Sequence, residues 1–129
     1  MKKATLLFAM ILGLSIFASA QPTELISGPA IKVDKDIHDY GTIAVGANGQ
    51  CEFKVTNTGT EPLVLNKCNG SCGCTVPTCD PAPIAPGASY TIVVNYDTKR
   101  LGEINKSVTI MSNAVNEPVK TVQIKGMVQ

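Results

Sequence analysis

The sequence predicts an all-β fold, a single immunoglobulin-like β-sandwich of about seven strands, and three observations carry the prediction. Apolar and polar residues alternate with period two in several short runs; Cys51, Phe53 and Val55 against Glu52, Lys54 and Thr56 is the clearest. Clusters of Gly, Pro and Asn separate these runs at intervals of about 8 to 12 residues, the rhythm of sandwich strands. No stretch carries apolar residues at i, i+3, i+4 and i+7 for long enough to make a helix.

The first twenty residues read as an address rather than as part of that domain. Lys2 and Lys3 are followed by an almost unbroken apolar run from Ala4 to Phe17, then by Ala18-Ser19-Ala20. This is the pattern of a secretory signal peptide (residues 1–20) cleaved after Ala20. A spanning helix needs about 20 apolar residues, and this run is shorter and stops at the processing pattern. Gln21 follows the cut, so the cysteine of a lipid-anchored precursor is missing. The expectation is a periplasmic or secreted protein with no membrane anchor after cleavage. Removing Lys2 and Lys3 leaves nine basic residues against ten acidic ones, a net charge of −1, with neither sign clustered. A nucleic-acid partner would require a basic stripe, which this chain lacks.

Residues 21–30 mix Pro, Ser and Gly without periodicity and read as a flexible lead-in, and residues 31–129 as the sandwich domain. Ile31-Lys32-Val33 is a short edge strand and Asp39 to Ile43 a second extended piece. The dipeptide Asn48-Gly49 predicts a hairpin turn, because both residues tolerate positive φ. The alternating strand from Gln50 ends at the turn Asn57-Thr58-Gly59, and Leu63-Val64-Leu65 resumes the extended chain. Ile84-Ala85-Pro86-Gly87 is a Pro-Gly turn. Tyr90, Ile92, Val94 and Tyr96 alternate with Thr91, Val93 and Asn95 in a strand covered on both faces for part of its length. Asp97 to Gly102 is a charged loop, Ile104 to Met111 a strand with Val108 and Ile110 inward, and Val122, Ile124 and Val128 mark the last strand.

Several of these segments, in this order, resemble a known family. His38-Asp39-Tyr40-Gly41-Thr42-Ile43 and Phe53-Lys54-Val55-Thr56-Asn57-Thr58-Gly59-Thr60-Glu61-Pro62-Leu63 match its opening. Ser71-Cys72-Gly73-Cys74-Thr75-Val76-Pro77 matches its hallmark, and Pro83 to Gly87, Tyr96-Asp97-Thr98 and Ser112-Asn113 complete the series. The family is a bacterial secreted one known only as a domain of unknown function, number fifteen seventy-three. The resemblance covers about Val33 to Val128. It implies an immunoglobulin-like sandwich similar to major-sperm-protein-type domains and those of cilium-associated proteins. It implies no established activity, substrate or cofactor. The hallmark accounts for Cys72 and Cys74 but not for Cys51, Cys68 or Cys79.

Four of the five cysteines fall between Cys68 and Cys79, so distinctive chemistry concentrates there. Four thiols allow three connectivities, and the sequence does not choose among them. Residues i and i+2 of a strand lie about 6.6 Å apart, the upper edge of a comfortable disulfide span. A Cys72–Cys74 bond therefore needs a bend at Gly73, and so small a ring is expected to be the more easily reduced one. Cys68 and Cys79 are better placed to staple the base of the loop. Structural disulfides are the leading reading of all four. A redox pair at Cys72 and Cys74 comes second, although the only cation nearby in sequence is Lys67. A Cu(I) or Zn(II) thiolate site built from Cys68, Cys72, Cys74 and Cys79 comes third, since Cys-x3-Cys-x-Cys-x4-Cys is not a familiar zinc spacing.

Cys51, on the buried side of its strand, reads as a small core residue, although the odd cysteine leaves intermolecular pairing open. His38 is the sole histidine, and a turn or solvated role outweighs a partnership with a cysteine across the fold. Ser71 sits in no nucleophile motif. Asn69-Gly70-Ser71 and Asn105-Lys106-Ser107 are weak glycosylation matches. No catalytic residues and no cofactor are assigned. Two functions from different classes follow. One is an exported, non-enzymatic binding or assembly module that docks an unidentified protein or cell-envelope partner. The other is a thiol-active protein, redox or Cu/Zn handling, that works through Cys72-Gly73-Cys74.

Overall fold

The computed structural model describes residues 26–129 as eight strands and no helix. The expected signal segment lies outside these residues. The strands are β1 (Ile31–Val33), β2 (Ile37–Ile43), β3 (Gln50–Asn57), β4 (Leu65–Gly70), β5 (Thr75–Thr78), β6 (Ser89–Tyr96), β7 (Gly102–Ser112) and β8 (Val119–Val128). They form two four-stranded sheets, ordered β1-β3-β6-β5 and β2-β8-β7-β4. All pairs are antiparallel except β2 with β8.

Period-two patterning explains why the sheets face each other. Phe53 and Val55 of β3, Ile92 and Val94 of β6, Ile104, Val108 and Ile110 of β7, and Val122 and Ile124 of β8 are all essentially sealed from solvent. Their alternate neighbours Glu52, Lys54, Asn95, Glu103 and Lys125 are exposed. One face of each strand therefore loses its apolar surface to the core, which stabilises by about 25 cal/mol for each Å² removed from water. The expected sandwich is present, with one strand more than the seven read from the sequence. The additional strand is β5, which lies inside the cysteine-rich stretch, where Cys, Gly and Pro hide the alternation.

Two local expectations are corrected. Asn48-Gly49 makes no hairpin, because β2 and β3 belong to different sheets and the chain must cross between layers there. The tight turn falls earlier, where Ala47 N–H donates to Ala44 O (3.0 Å). Asn48 instead uses its side-chain oxygen to accept from Gln50 N–H (3.0 Å). The segment read as a flexible lead-in is docked from Ile26 onward. Ile26 bridges to Gly59, Val115 N–H donates to Pro29 O (2.8 Å), and Ala30 is fully buried. The Pro-Gly turn is as expected: Ala88 N–H donates to Ala85 O (2.9 Å), and Gly87 takes the positive φ of 79° that its position demands.

Side-chain amides close one end of the sandwich. Asn57, fully buried at the end of β3, accepts from Gly59 N–H (2.9 Å) and Ala30 N–H (3.4 Å) through Oδ1. Its Nδ2 donates to Glu61 O (2.7 Å) and Ile84 O (2.9 Å). Asn116 pairs with both backbone groups of Ile31, and Asn113 with Val64 N–H and Pro62 O. Each amide stands in for a strand that is not there. Replacing Asn57 with Ala would orphan the Gly59 and Ala30 donors, whereas Ile84 O keeps its bond from Leu63 N–H and Glu61 O is at the exposed surface. Asn57→Ala is expected to lose about 3 kcal/mol of unfolding free energy, measured by urea denaturation. A loss below about 1 kcal/mol would show that water replaces the amide.

Candidate functional site

β4 and β5 are edge strands of opposite sheets, and the turn between them carries the chain from one layer to the other. Ser71 secures the start of the turn: its N–H donates to Ser107 O (2.8 Å), and its hydroxyl accepts from Ser107 N–H (3.1 Å). Thr75 N–H then donates to Cys72 O (3.2 Å) and closes a four-residue turn over Gly73. Gly70 is needed because a Cβ there would collide with the Thr75 carbonyl as the two strands pass. β5 then joins β6, with Thr75 opposite Tyr96 and Thr78 opposite Val93.

Both cysteine pairs are disulfides. Cys68–Cys79 spans 6.0 Å between Cα atoms and ties β4 of one sheet to the end of β5 in the other. Cys72–Cys74 lies within the turn, and its Cα atoms are 5.3 Å apart, shorter than the extended spacing because of the bend over Gly73. The two sulfurs of this second pair are not equivalent. Cys74 is 8% exposed, whereas Cys72 is only partly buried. Cys72 Sγ accepts from Cys74 N–H (3.2 Å) and lies 3.9 Å from Arg100 Nη1. The hydroxyl of Thr75, buried at 2% exposure, lies 3.7 Å from Cys74 Sγ and 3.9 Å from Cys72 Sγ.

Sequence proximity pointed to Lys67 as the cation; the cation in contact with the pair is Arg100. Asp97 presents it. Asp97 N–H donates to Cys74 O (2.9 Å), Arg100 N–H returns to Asp97 O (3.3 Å), and Lys99 N–H donates to Asp97 Oδ1 (3.1 Å). The register of β5 on β6 thus delivers a guanidinium 28 residues away in sequence to Cys72. The Tyr96-Asp97-Thr98 segment was visible in the sequence, but its link to Cys74 exists only through that pairing. As disulfides the four sulfurs offer no thiolate to a metal. No group of three His, Cys, Asp or Glu among the described residues is placed to hold one.

The other candidate residues lie elsewhere. β2 is the edge opposite β4, so His38 is across the sandwich from the cysteine turn. Its Nδ1 faces Lys35 Nζ at 3.0 Å, and its ring meets Tyr40 edge-on at 4.6 Å. Burial, then the Lys35 charge, lowers its pKa, with Asp39 partly opposing. Cys51 is a free thiol, 4% exposed within the core, which leaves no access for an intermolecular bond. Burial raises its pKa, and the Tyr40 hydroxyl beside it is itself raised by burial. Tyr40 donates to Gly49 O (2.7 Å). An open cleft of about 630 Å³ adjoins this region, lined by Lys35, Glu52, Lys54 and Asp34 among others. It is a solvated surface of mixed charge.

Two expectations follow from these contacts. Cys68→Ala with Cys79→Ala releases a closure of sequence separation 11. It should cost about 3 kcal/mol in non-reducing denaturation, with the all-β circular dichroism retained. A His with a lowered folded pKa resists protonation, so its stabilisation is present above the unfolded value and lost as pH falls. Below about pH 6.5 the melting temperature should drop. His38→Gln should flatten that part of the curve, and an unchanged slope would assign the effect to other groups.

Comparison places the chain among known proteins. No curated protein sequence matches it. A solved protein of unknown function from Porphyromonas gingivalis W83 superposes with a TM-score of 0.69 at 18% identity; the match covers 79% of this chain but only 47% of the other. The seventh PapD-like domain of human CEP192 gives 0.65 at 9% identity, covering 100% of this chain and 96% of that domain. WR4, a C. elegans member of the major sperm protein family, gives 0.51 at 11% identity, covering 79% and 100%. At these identities the likeness is one of fold, and it bears out the expected sandwich type. One family model matches residues 31–128, from β1 to the last residue of β8. The chain belongs to the family described as protein of unknown function (DUF1573).

Proposed function

We propose that this protein is an exported, non-enzymatic binding or assembly module that engages a protein partner through its disulfide-fixed corner. The observation that carries this reading is the surface held at the end of the β5–β6 pair. Val76 is 54% exposed and Leu101 74% exposed, and exposed Arg100 accompanies them. Arginine is enriched at protein contacts, and an exposed apolar side chain gains from being covered by a partner. Two disulfides within twelve residues hold the backbone beneath Val76, so little ordering entropy remains to be lost on docking. Pro77 lies in the same edge strand and cannot offer a backbone N–H, which favours docking on side chains over strand addition. The two disulfides suit an oxidising compartment, as does the N-terminal apolar run with its small-residue end.

A photo-crosslinking residue at Val76 or Leu101, introduced singly in the expressing cell, is expected to yield a discrete adduct. The same residue at Val119, exposed on the other sheet, should yield none. Adducts of equal strength from all three positions, or from none, would remove the corner as a docking surface.

A further inference from the structure

The two disulfides do different physical work. Cys68–Cys79 joins the edges of two sheets. Cys72–Cys74 joins residues two apart in a turn that Thr75 N–H already closes onto Cys72 O. A crosslink restricts the unfolded chain less as the loop it closes shortens, so this bond adds the least to stability. Gly73, between the two cysteines, has open space where a Cβ would stand.

The surroundings of the pair suit chemistry better than stapling. Cys72 is partly exposed and Cys74 is buried, which gives exchange a direction of approach. The Cys72 sulfur has a backbone N–H at 3.2 Å and a guanidinium at 3.9 Å, both of which favour a thiolate over a thiol. Between the two sulfurs, within 3.9 Å of each, sits a hydroxyl sealed from water. Cys51 is the internal contrast: buried, with its pKa raised.

We infer that Cys72–Cys74 is a thiol–disulfide exchange site for a dithiol substrate, with Cys72 the reacting sulfur and Arg100 the residue that positions its thiolate. This adds to the docking role a stoichiometric thiol chemistry, one exchange per oxidised Cys72–Cys74 pair, and does not depend on docking. In the first step a substrate thiolate attacks Cys72 Sγ. A mixed disulfide forms, the Cys72–Cys74 bond breaks, and Cys74 leaves as a thiolate beside the Thr75 hydroxyl and takes up a proton. In the second step the substrate's other thiolate attacks the substrate sulfur of the mixed disulfide. Cys72 leaves as a thiolate facing Arg100. The substrate has lost two electrons and become a disulfide, and the Cys72–Cys74 pair has gained both. Holding the Cys72 thiolate stabilises the reduced form, and so makes this disulfide the more oxidising of the two.

The oxidised protein would be equilibrated in mixtures of reduced and oxidised dithiothreitol, trapped with N-ethylmaleimide and mapped by peptide mass. Cys72 and Cys74 are expected to open at a dithiol-to-disulfide ratio at least about tenfold below that for Cys68 and Cys79. Arg100→Gln, a surface change, should raise the required ratio roughly fivefold, and Arg100→Lys should restore part of the shift. In a Cys74→Ser background, iodoacetamide should titrate Cys72 with a midpoint below the free-thiol value of about 8.5, and Arg100→Gln should move that midpoint up. Equal opening of the two disulfides would overturn the exchange site. Unchanged ratio and midpoint in Arg100→Gln would overturn the role given to Arg100.

Discussion

The bond between Cys68 and Cys79 joins two sheets at the side where each ends in an edge strand. β5 has only four residues and a proline, and by itself it would hold weakly to β6. Anchored at Cys79, it lies in one register on β6, and that register has consequences at a distance. It sets Thr75 opposite Tyr96, aligns Cys74 O with Asp97 N–H, and so directs the Asp97 turn and Arg100 toward Cys72. A covalent constraint at one end of a short strand thereby determines the electrostatics of a sulfur at the other.

The two long sides of the sandwich contrast. On the β1–β2 side, His38, Tyr40 and Cys51 are drawn into or toward the core, and burial disfavours the charged form of each. That side is chemically quiet. On the β4–β5 side, a partly exposed sulfur meets a cation and a backbone donor. The same element sits in opposite surroundings in one small domain, a buried free thiol in one place and a partly exposed disulfide sulfur beside a cation in the other.

Several family motif residues turn out to be architectural. Asn57 from the Thr-Asn-Thr-Gly segment and Asn113 from Ser-Asn satisfy backbone groups where the chain leaves the sheets. A domain of this size has a modest core, and unpaired polar groups at its ends would consume much of the stability that core supplies. Among the matched segments, the Ser-Cys-Gly-Cys-Thr turn differs in setting a disulfide sulfur beside a backbone N–H and a guanidinium.

The sequence by itself determined the layers. Alternation of period two depends only on which side chains leave water, so the inward residues of β3, β6, β7 and β8 were legible, as were the Pro-Gly turn and the sandwich class. Alternation does not encode which strand a strand will pair with. The crossing at Asn48-Gly49 therefore looked like a hairpin, and β5 was hidden among cysteines that obscure its pattern. The burial of Cys51 followed from the same alternation, but tertiary structure alone decided the cysteine pairing and the meeting of Arg100 with Cys72. Each of these depends on the register between segments far apart in the chain, and register is set by the packing of whole sheets rather than by any local run of residues.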